Sequence, residues 1–133
     1  SVVTIEPTSS AALAARLLSR HNVGVLPVCG EDRKLRGVVT DRDIVLRCVA
    51  AEEDPAQTLV REIMTRGCAT VSPQDDCRAA TRLMARQQVR RLPVVEGGKL
   101  VGIVSLADLA RSQRFDMEAA QALGEISENI VRR

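Results

Sequence analysis

Aromatic side chains are nearly absent from this chain, which has one Phe and neither Trp nor Tyr among its 133 residues. Proteins that bind single-stranded nucleic acid commonly stack bases on aromatic rings, and this sequence offers no such surface. The formal net charge of +2 is also too small to indicate a nucleic-acid-binding domain. We therefore expect no nucleic-acid partner and a core packed from aliphatic side chains.

Long apolar runs and paired cysteines are missing as well. No run approaches the roughly 20 residues that span a membrane, and no secretory signal opens the sequence. The four cysteines form no CxxC pair, and His21 is the only histidine. We interpret the thiols as reduced and partly buried rather than as a zinc site, and we expect a cytoplasmic protein without membrane contact. The thiols are Cys29, Cys48, Cys68 and Cys77.

An internal repeat divides the chain into two copies of a unit of about 60 residues. The copies are offset by 66 residues at first, and by 65 after one deletion near Gly97 and Gly98. Three pairs of segments match: Thr4–Pro7 with Thr70–Pro73, Asn22–Val28 with Gln88–Val94, and Lys34–Thr40 with Lys99–Ser105.

Each copy predicts the order β-α-β-β-α, because the hydrophobic period switches between strand and helix in the same sequence. Ser9 or Ser10 can cap the first helix of copy one, and Asp75 or Asp76 that of copy two. Pro27 argues that its strand lies at an edge or ends there. In copy one the predicted elements are strands Val2–Ile5, Val25–Val28 and Leu35–Val39 and a final helix Asp41–Ala50; in copy two they are strands Ala69–Val71, Leu92–Val95 and Leu100–Val104 and a final helix Leu106–Arg111.

These patterns place the chain in the α+β class, as two repeats packed sheet to sheet with pseudo-twofold symmetry. Such packing would cover the apolar face that each three-stranded sheet leaves exposed. The predicted boundaries are repeat 1 at 1–50, an acidic linker at 51–60, repeat 2 at 61–112 and a helical tail at 113–133. We expect the tail helix to pack on the core rather than on a second subunit.

The last strand of each repeat ends on a hydroxyl residue, with a carboxylate three positions later at the start of a helix. The pairs are Thr40 with Asp43 and Ser105 with Asp108. A hydroxyl and an acid at such a strand end suit a ribose-phosphate ligand. The same spacing is that of a helix capping box, worth about 1 kcal/mol for the cap. Both interpretations stay open, since one residue can serve both roles.

The repeats resemble tandem CBS domains, the cystathionine-β-synthase regulatory module, whose pair is called a Bateman module. The resemblance rests on the strand-proline-helix start, the Val-x-x-Leu-Pro-Val strand and the Gly-hydrophobic-hydrophobic-Thr/Ser-x-x-Asp ending, each present twice between Val2 and about Arg111. The run Ile63-Met64-Thr65 also looks like the usual lead-in to a repeat.

The resemblance implies a regulatory binding module rather than an enzyme. It implies an adenosine-containing ligand (AMP, ADP, ATP or S-adenosylmethionine) in the cleft between the repeats, no obligatory cofactor, a homodimer and a regulated partner protein. It assigns ribose contacts to Asp43 and Asp108 and hydroxyl contacts to Thr40 and Ser105. Phosphate contacts fall on Arg90 and Arg91, and adenine contacts on Thr4, Ile5, Thr70 and Val71.

A phosphorylated ligand should favour repeat 2, because Gly24 and Val25 stand in repeat 1 where repeat 2 has the two arginines.

Two other functions compete with an adenosyl-ligand sensor. The chain could be a ligand-free scaffold that dimerises or docks a partner through apolar helices, or a cysteine-based redox or metal-responsive module. The residues form no Ser-His-Asp, Cys-His or paired-carboxylate set, so we expect no catalytic residues.

Overall fold

The computed structural model describes residues 2–111, and the predicted tail helix lies outside them. The backbone order is helix, two strands and helix, then a connecting segment, then the same order again. In chain order the elements are α1 (Ala11–His21), β1 (Val25–Cys29), β2 (Leu35–Thr40), α2 (Asp41–Ile44), a π-helix (Val45–Val49), α3 (Val60–Ile63), α4 (Cys77–Gln87), β3 (Arg91–Glu96), β4 (Lys99–Ser105) and α5 (Leu106–Ala110).

The chain divides into two compact units that correspond to the two repeats. The first contains residues up to Cys68 together with Gly98–Leu100, and the second contains residues 69–97 and 101–111. Each unit holds one small antiparallel pair, β1 with β2 and β3 with β4. The predicted α+β class and the repeated order α-β-β-α are confirmed, whereas the predicted first strand of each repeat is reduced to a single bridge.

The first strand of each repeat is much shorter than predicted. In place of the strand Val2–Ile5, only Ile5 pairs, as a parallel bridge to Val28, and in place of Ala69–Val71, only Val71 pairs, with Val94. A proline follows two residues after each bridge, at Pro7 and Pro73. Proline has no N–H to continue a ladder, so the pairing is confined to one residue on each sheet edge.

Pro27 lies in the middle of β1, opposite Val38 of β2, and not at a strand end. Its carbonyl accepts a hydrogen bond from the Ile5 N–H at 3.1 Å, and Ile5 in turn accepts one from the Cys29 N–H at 3.0 Å. The nitrogen and carbonyl of one strand residue point to the same side, so the missing N–H of Pro27 faces Ile5. The single bridge there needs no donor from Pro27, which explains why proline is tolerated.

The long helices are capped by the residues that the sequence predicts. Ser10 accepts a hydrogen bond from the Leu13 N–H at 3.0 Å at the start of α1. Asp76 accepts one from the Arg78 N–H at 2.8 Å at the start of α4. Both helices end in a left-handed residue, Asn22 with φ 51° and Gln88 with φ 57°. A single residue of this conformation is a common helix terminator.

The helix predicted over Asp41–Ala50 is not uniform. It starts as α2 and continues as one π-helical stretch from Val45 to Val49. Ile44 and Cys48 are buried, whereas Val45, Leu46 and Val49 are 54%, 49% and 58% exposed. The stretch therefore anchors on the core of repeat 1 and presents an apolar face outward.

The connecting segment between the repeats packs on repeat 1. The carbonyls of Pro55 and Thr58 accept hydrogen bonds from the Ala12 and Ala11 N–H groups at 2.9 and 2.8 Å. These are donors of the first turn of α1, which have no partner within the helix. After α3, Thr65 pairs antiparallel with Val38, with N–O distances of 2.8 and 3.0 Å. Residues of the linker and of the segment that follows it thus complete the structure of repeat 1.

Each unit has its own aliphatic core. In repeat 1 the core is formed by α1, both strands, the helical stretch after β2 and α3, through Ile5, Ala11, Ala14, Leu18, Leu26, Val28, Val39, Ile44, Cys48, Val60, Ile63 and Met64. In repeat 2 it is smaller and is formed by Val71, Ala80, Met84, Ala85, Leu92, Leu106 and Leu109. These cores hold the strand ends at which the candidate site residues lie.

Candidate functional site

The hydroxyl-acid pair closes a capping box in both repeats. In repeat 1 the Thr40 N–H donates to Asp43 Oδ2 at 3.0 Å, and the Asp43 N–H donates to Thr40 Oγ1 at 3.0 Å. In repeat 2 the matching distances between Ser105 and Asp108 are 3.2 and 3.1 Å. The capping interpretation of the sequence is confirmed at both positions. Each carboxylate uses Oδ2 for the cap. Whether the carboxylate can also bind a ligand therefore depends on the other partners of its two oxygens.

In each repeat the residue just before the first strand accepts a backbone hydrogen bond from the residue that follows the hydroxyl of the capping box. The Leu106 N–H donates to the Arg90 carbonyl at 2.7 Å, and the equivalent bond joins the Asp41 N–H to the Gly24 carbonyl at 3.2 Å. This contact brings Arg90 and Arg91, the residues just before the Leu-Pro strand core, to the Ser105-Asp108 end of β4. Four of the predicted site residues of repeat 2 therefore lie together.

In repeat 2 the carboxylate is open to solvent. The Asp108 side chain is 52% exposed, and its Oδ1 meets the guanidinium of Arg111 at 2.9 Å. Hydrogen bonds from the side chain and backbone of Ser105 hold the pKa of Asp108 below its usual value; burial opposes this, and the charges of Arg111 and Arg91 make smaller lowering contributions. Asp108 is thus an ionised acceptor, and its partner Arg111 is itself exposed and easily displaced.

In repeat 1 the carboxylate is enclosed. Asp43 is only 7% exposed. The Thr65 hydroxyl donates to it, with Oγ1 3.0 Å from Oδ1 and 3.2 Å from Oδ2. Arg47 approaches Oδ1 at 4.0 Å and donates to the carbonyls of Ile63 and Met64, both at 3.1 Å. The same carboxylate is therefore an internal hydrogen-bonding centre in repeat 1.

Sequence reasoning did not find Thr65 and Arg47 as partners of Asp43. Arg47 lies four residues after Asp43 in a helical stretch, a spacing that typically allows an ion pair. Thr65 is 22 residues away, in a segment that the sequence assigned to the lead-in of repeat 2. No local pattern connects the two, and their contact depends on the pairing of Thr65 with Val38.

The predicted adenine-side residues lie on the other edge of each sheet. Val71 bridges Val94 on the edge of β3 away from β4, and Ile5 bridges Val28 on the edge of β1 away from β2. Thr4 and Thr70, the neighbouring residues, are exposed. Within each unit these four residues are separated from the hydroxyl-acid pair by the width of the strand pair. They remain predicted contacts.

The cysteines are free thiols, and Cys29 and Cys48 are buried. Burial raises the pKa of Cys29 and of Cys68, which disfavours the thiolate needed for metal binding or nucleophilic attack. Between residues 2 and 111 no group of three or more His, Cys, Asp or Glu side chains is placed to hold a metal ion. In the same stretch no helix has the length and apolar character to cross a membrane.

The fold is a pair of α+β repeats, each with a hydroxyl-acid capping box at the end of its last strand, and comparison with known proteins assigns the family. The CBS domain family model matches residues 1–49 and again 60–114. The chain therefore belongs to the CBS domain family, as a CBS-pair regulatory module.

Similar proteins have the same paired organisation. The CBS domain-containing protein YhcV of Bacillus subtilis is 44% identical over 130 residues, which cover 98% of this chain and 91% of that protein. The crystal structure of Hypoxic Response Protein I with two coordinated zinc ions superposes with a TM-score of 0.77 at 36% identity, covering 84% of this chain and 90% of that one. The crystal structure of CBSX2 in complex with AMP superposes with a TM-score of 0.74 at 28% identity, covering 87% and 90%.

Proposed function

We propose that this module senses an adenosine-containing ligand and that repeat 2 binds its ribose and phosphate groups through Asp108, Ser105, Arg90 and Arg91. The observation that carries the proposal is the exposed, ionised carboxylate of Asp108 at the end of β4, with Arg91 close enough to lower its pKa. The AMP complex of the similar protein CBSX2 supports an adenosyl ligand. AMP, ADP, ATP and S-adenosylmethionine share the ribose that this site would recognise.

The chemistry of the four side chains suits such a ligand. A carboxylate accepts hydrogen bonds from both ribose hydroxyls, a role that no basic side chain can take. A ribose hydroxyl would replace Arg111 as the donor to Asp108 Oδ1, while Oδ2 would still accept the hydrogen bond from the Ser105 N–H. Guanidinium groups bind phosphate oxygens through two parallel N–H bonds, and Arg90 and Arg91 are both exposed. Thr70 and Val71 would contact the adenine from the other edge of the sheet.

A thermal-shift panel tests the proposal. Saturating AMP should raise the melting temperature in a dose-dependent way, because a ligand that binds only the folded state stabilises it. A concentration of about 100 times Kd corresponds to roughly 2.7 kcal/mol. Asp108→Ala should abolish the rise, whereas Asp75→Ala, an exposed acid of the same repeat, should keep it. A full rise in Asp108→Ala would exclude this site.

A second candidate function is assembly, and a specific observation favours it. Val45, Leu46 and Val49 form an apolar face on the helical stretch after β2, each about half exposed. Exposed apolar patches of this kind commonly mark interaction sites. We infer that a second copy of this chain covers the face, so that the module is a homodimer that acts on a regulated partner protein.

The four free thiols suit the reducing cytoplasm.

Charge on this face tests the assembly. Val45→Asp with Val49→Asp should convert the dimer to monomer in analytical ultracentrifugation, because burying two unpaired carboxylates at an interface is costly. Val101→Asp, at a half-exposed valine of β4, is the matched control and should leave the mass unchanged. A dimer that survives the double substitution would place the interface elsewhere.

A further inference from the structure

The exposed face of α4 carries a row of arginines. Arg78, Arg82 and Arg86 follow one another at intervals of four residues along the helix, and all are exposed. Residues at this spacing lie on the same face of a helix, about 6 Å apart along its axis. The opposite face packs into the core of repeat 2 through Ala80 and Met84. This arginine row is therefore a positively charged strip about 12 Å long.

The charge of the arginine row is not neutralised within its own helix. The sequence of α4 contains no acidic residue, and at helical spacing Arg82 has only arginine and alanine neighbours. Within residues 2–111, no carboxylate forms an ion pair with Arg82 or Arg86. Like charges four residues apart destabilise a helix, so the row does not stabilise α4. Its charge is available to a binding partner.

Helix α1 shows a shorter form of the same arrangement in repeat 1. Arg16 and Arg20 are the equivalents of Arg82 and Arg86 at the repeat offset of 66 residues, and both are exposed. The sequence of α1 also contains no acidic residue. Where both helices are exposed, the positions that hold the same residue are these arginines. The charged face is thus common to the two repeats, and Arg78 extends it by one turn in repeat 2.

The length and surroundings of the arginine row indicate the kind of partner. A strip of about 12 Å is longer than one phosphate group, so a small anion would not span it. The net charge of +2 and the single Phe are not typical of a nucleic-acid-binding surface. A helix that binds a membrane inserts large apolar side chains, and all such exposed residues of the described chain lie outside α4.

An acidic helix matches the row in both chemistry and spacing. Guanidinium groups bind carboxylates through two parallel N–H bonds. Acidic side chains four residues apart on a partner helix also repeat at about 6 Å.

We propose that the arginine row of α4 is the docking surface for an acidic helix of the regulated partner protein, with carboxylates repeated every four residues. The proposal rests on the function proposed above only in taking a regulated partner protein as the occupant. Arg82 and Arg86 each bind one carboxylate, and Arg78 lengthens the contact by one turn. Because none of these arginines belongs to the proposed ribose-phosphate site, the docking surface and the ligand site can be tested separately.

The probe is a synthetic alanine-rich peptide with a glutamate at every fourth position. Added to the isotope-labelled full chain at low salt, it should shift the amide resonances of α4 in NMR spectra. Its Kd should rise about tenfold in Arg82→Gln with Arg86→Gln, because two exposed ion pairs of about threefold each are lost. Arg42→Gln with Arg61→Gln removes the same charge from two other exposed helical positions, and it should change the Kd by less than about twofold.

Several results would overturn the docking surface. An equal loss in the two double variants would show that the peptide responds to net charge alone. Equal affinity for a peptide of the same composition with its glutamates grouped at one end would show that the spacing is not recognised. Tighter binding of a single-stranded oligonucleotide, or of vesicles that contain phosphatidylglycerol, through Arg82 and Arg86 would contradict an acidic helix as the occupant.

An AMP titration separates this proposal from the proposed ligand site. The rise in melting temperature with AMP should be the same in Arg82→Gln with Arg86→Gln as in the wild type. Loss of that rise in the variant would assign the arginines to the ligand site and would contradict the docking surface. A wild type that binds the peptide but not AMP would reject only the adenosyl ligand, and one that binds AMP but not the peptide would reject only the docking surface.

Discussion

The two repeats have nearly the same local sequence at the end of their last strand, but their carboxylates have different surroundings. In repeat 1 the segment after α3 pairs with β2 and covers Asp43. In repeat 2 the carboxylate of Asp108 stays open beside Arg91. The repeat motif therefore determines the cap, and in repeat 1 Thr65, which lies outside the motif, also engages the carboxylate.

The largest expected difference between the repeats concerns their equivalent glycines, Gly37 and Gly102. A methyl group on Gly37 would collide with the Thr65 backbone, whereas Gly102 has no atom within 4 Å of the same position. Gly37→Ala should lower the free energy of unfolding by about 3 kcal/mol, as overpacking against backbone does. Gly102→Ala should be neutral or stabilising by about 0.5 kcal/mol, through the unfolded chain. Urea unfolding of both variants measures the difference, and equal effects would contradict the pairing of Thr65 with β2.

The second comparison replaces each carboxylate by its amide. Asp43→Asn supplies one acceptor where two oxygens now accept, so a buried donor loses its partner. We expect a loss of about 2 kcal/mol, in the range for hydrogen bonds to charged groups. Asp108→Asn should cost roughly 0.5 kcal/mol or less, because the group is half exposed. Unfolding midpoints for the two variants test this order, and its reversal would mean that Asp43 is not an internal anchor.

Much of this architecture could be predicted from the sequence because it depends on local signals. Ser10 and Asp76 cap helices through contacts two or three residues away, and the Thr40 and Ser105 boxes span three residues. Arg90 and Arg91 lie at the start of β3, and the hairpin that each repeat predicts places this start beside the end of β4. In each case the signal and the structure it specifies lie within one turn or one hairpin.

The remaining features depend on contacts that no local pattern encodes. The predicted length of the first strands is too great, because β-branched residues favour a strand. The proline that follows limits the pairing to Ile5 and Val71. Of the two alternatives for Pro27, the edge strand is confirmed and the strand end is wrong, because the side of β1 that the Pro27 nitrogen faces is not encoded locally. The enclosure of Asp43 depends on Thr65, 22 residues away, meeting β2 in one register.

The smallest predicted effect concerns the charge around the open carboxylate of repeat 2. The pKa of Asp108 is lowered, first by Ser105 and then by Arg111 and Arg91. Its ionised form therefore stabilises the fold fully above the ordinary aspartate value of about 3.9, and this contribution is lost as the pH falls through the lowered pKa. Arg91→Ala removes one favourable charge and should move the pKa of Asp108 upward, toward its usual value.

A carbon-detected NMR titration of the Asp108 carboxyl group measures this change. The titration midpoint of Asp108 should be higher in Arg91→Ala than in the wild type. Arg86→Ala removes an exposed arginine of α4 that does not contribute to the shift, and it should leave the titration midpoint unchanged. If both variants gave the wild-type midpoint, Arg91 would not act on Asp108, and the electrostatic contact between the two groups would be wrong. A shift in Arg91→Ala alone would show that Arg91 acts on Asp108 in repeat 2, whereas repeat 1 has the uncharged Val25 at the position of Arg91.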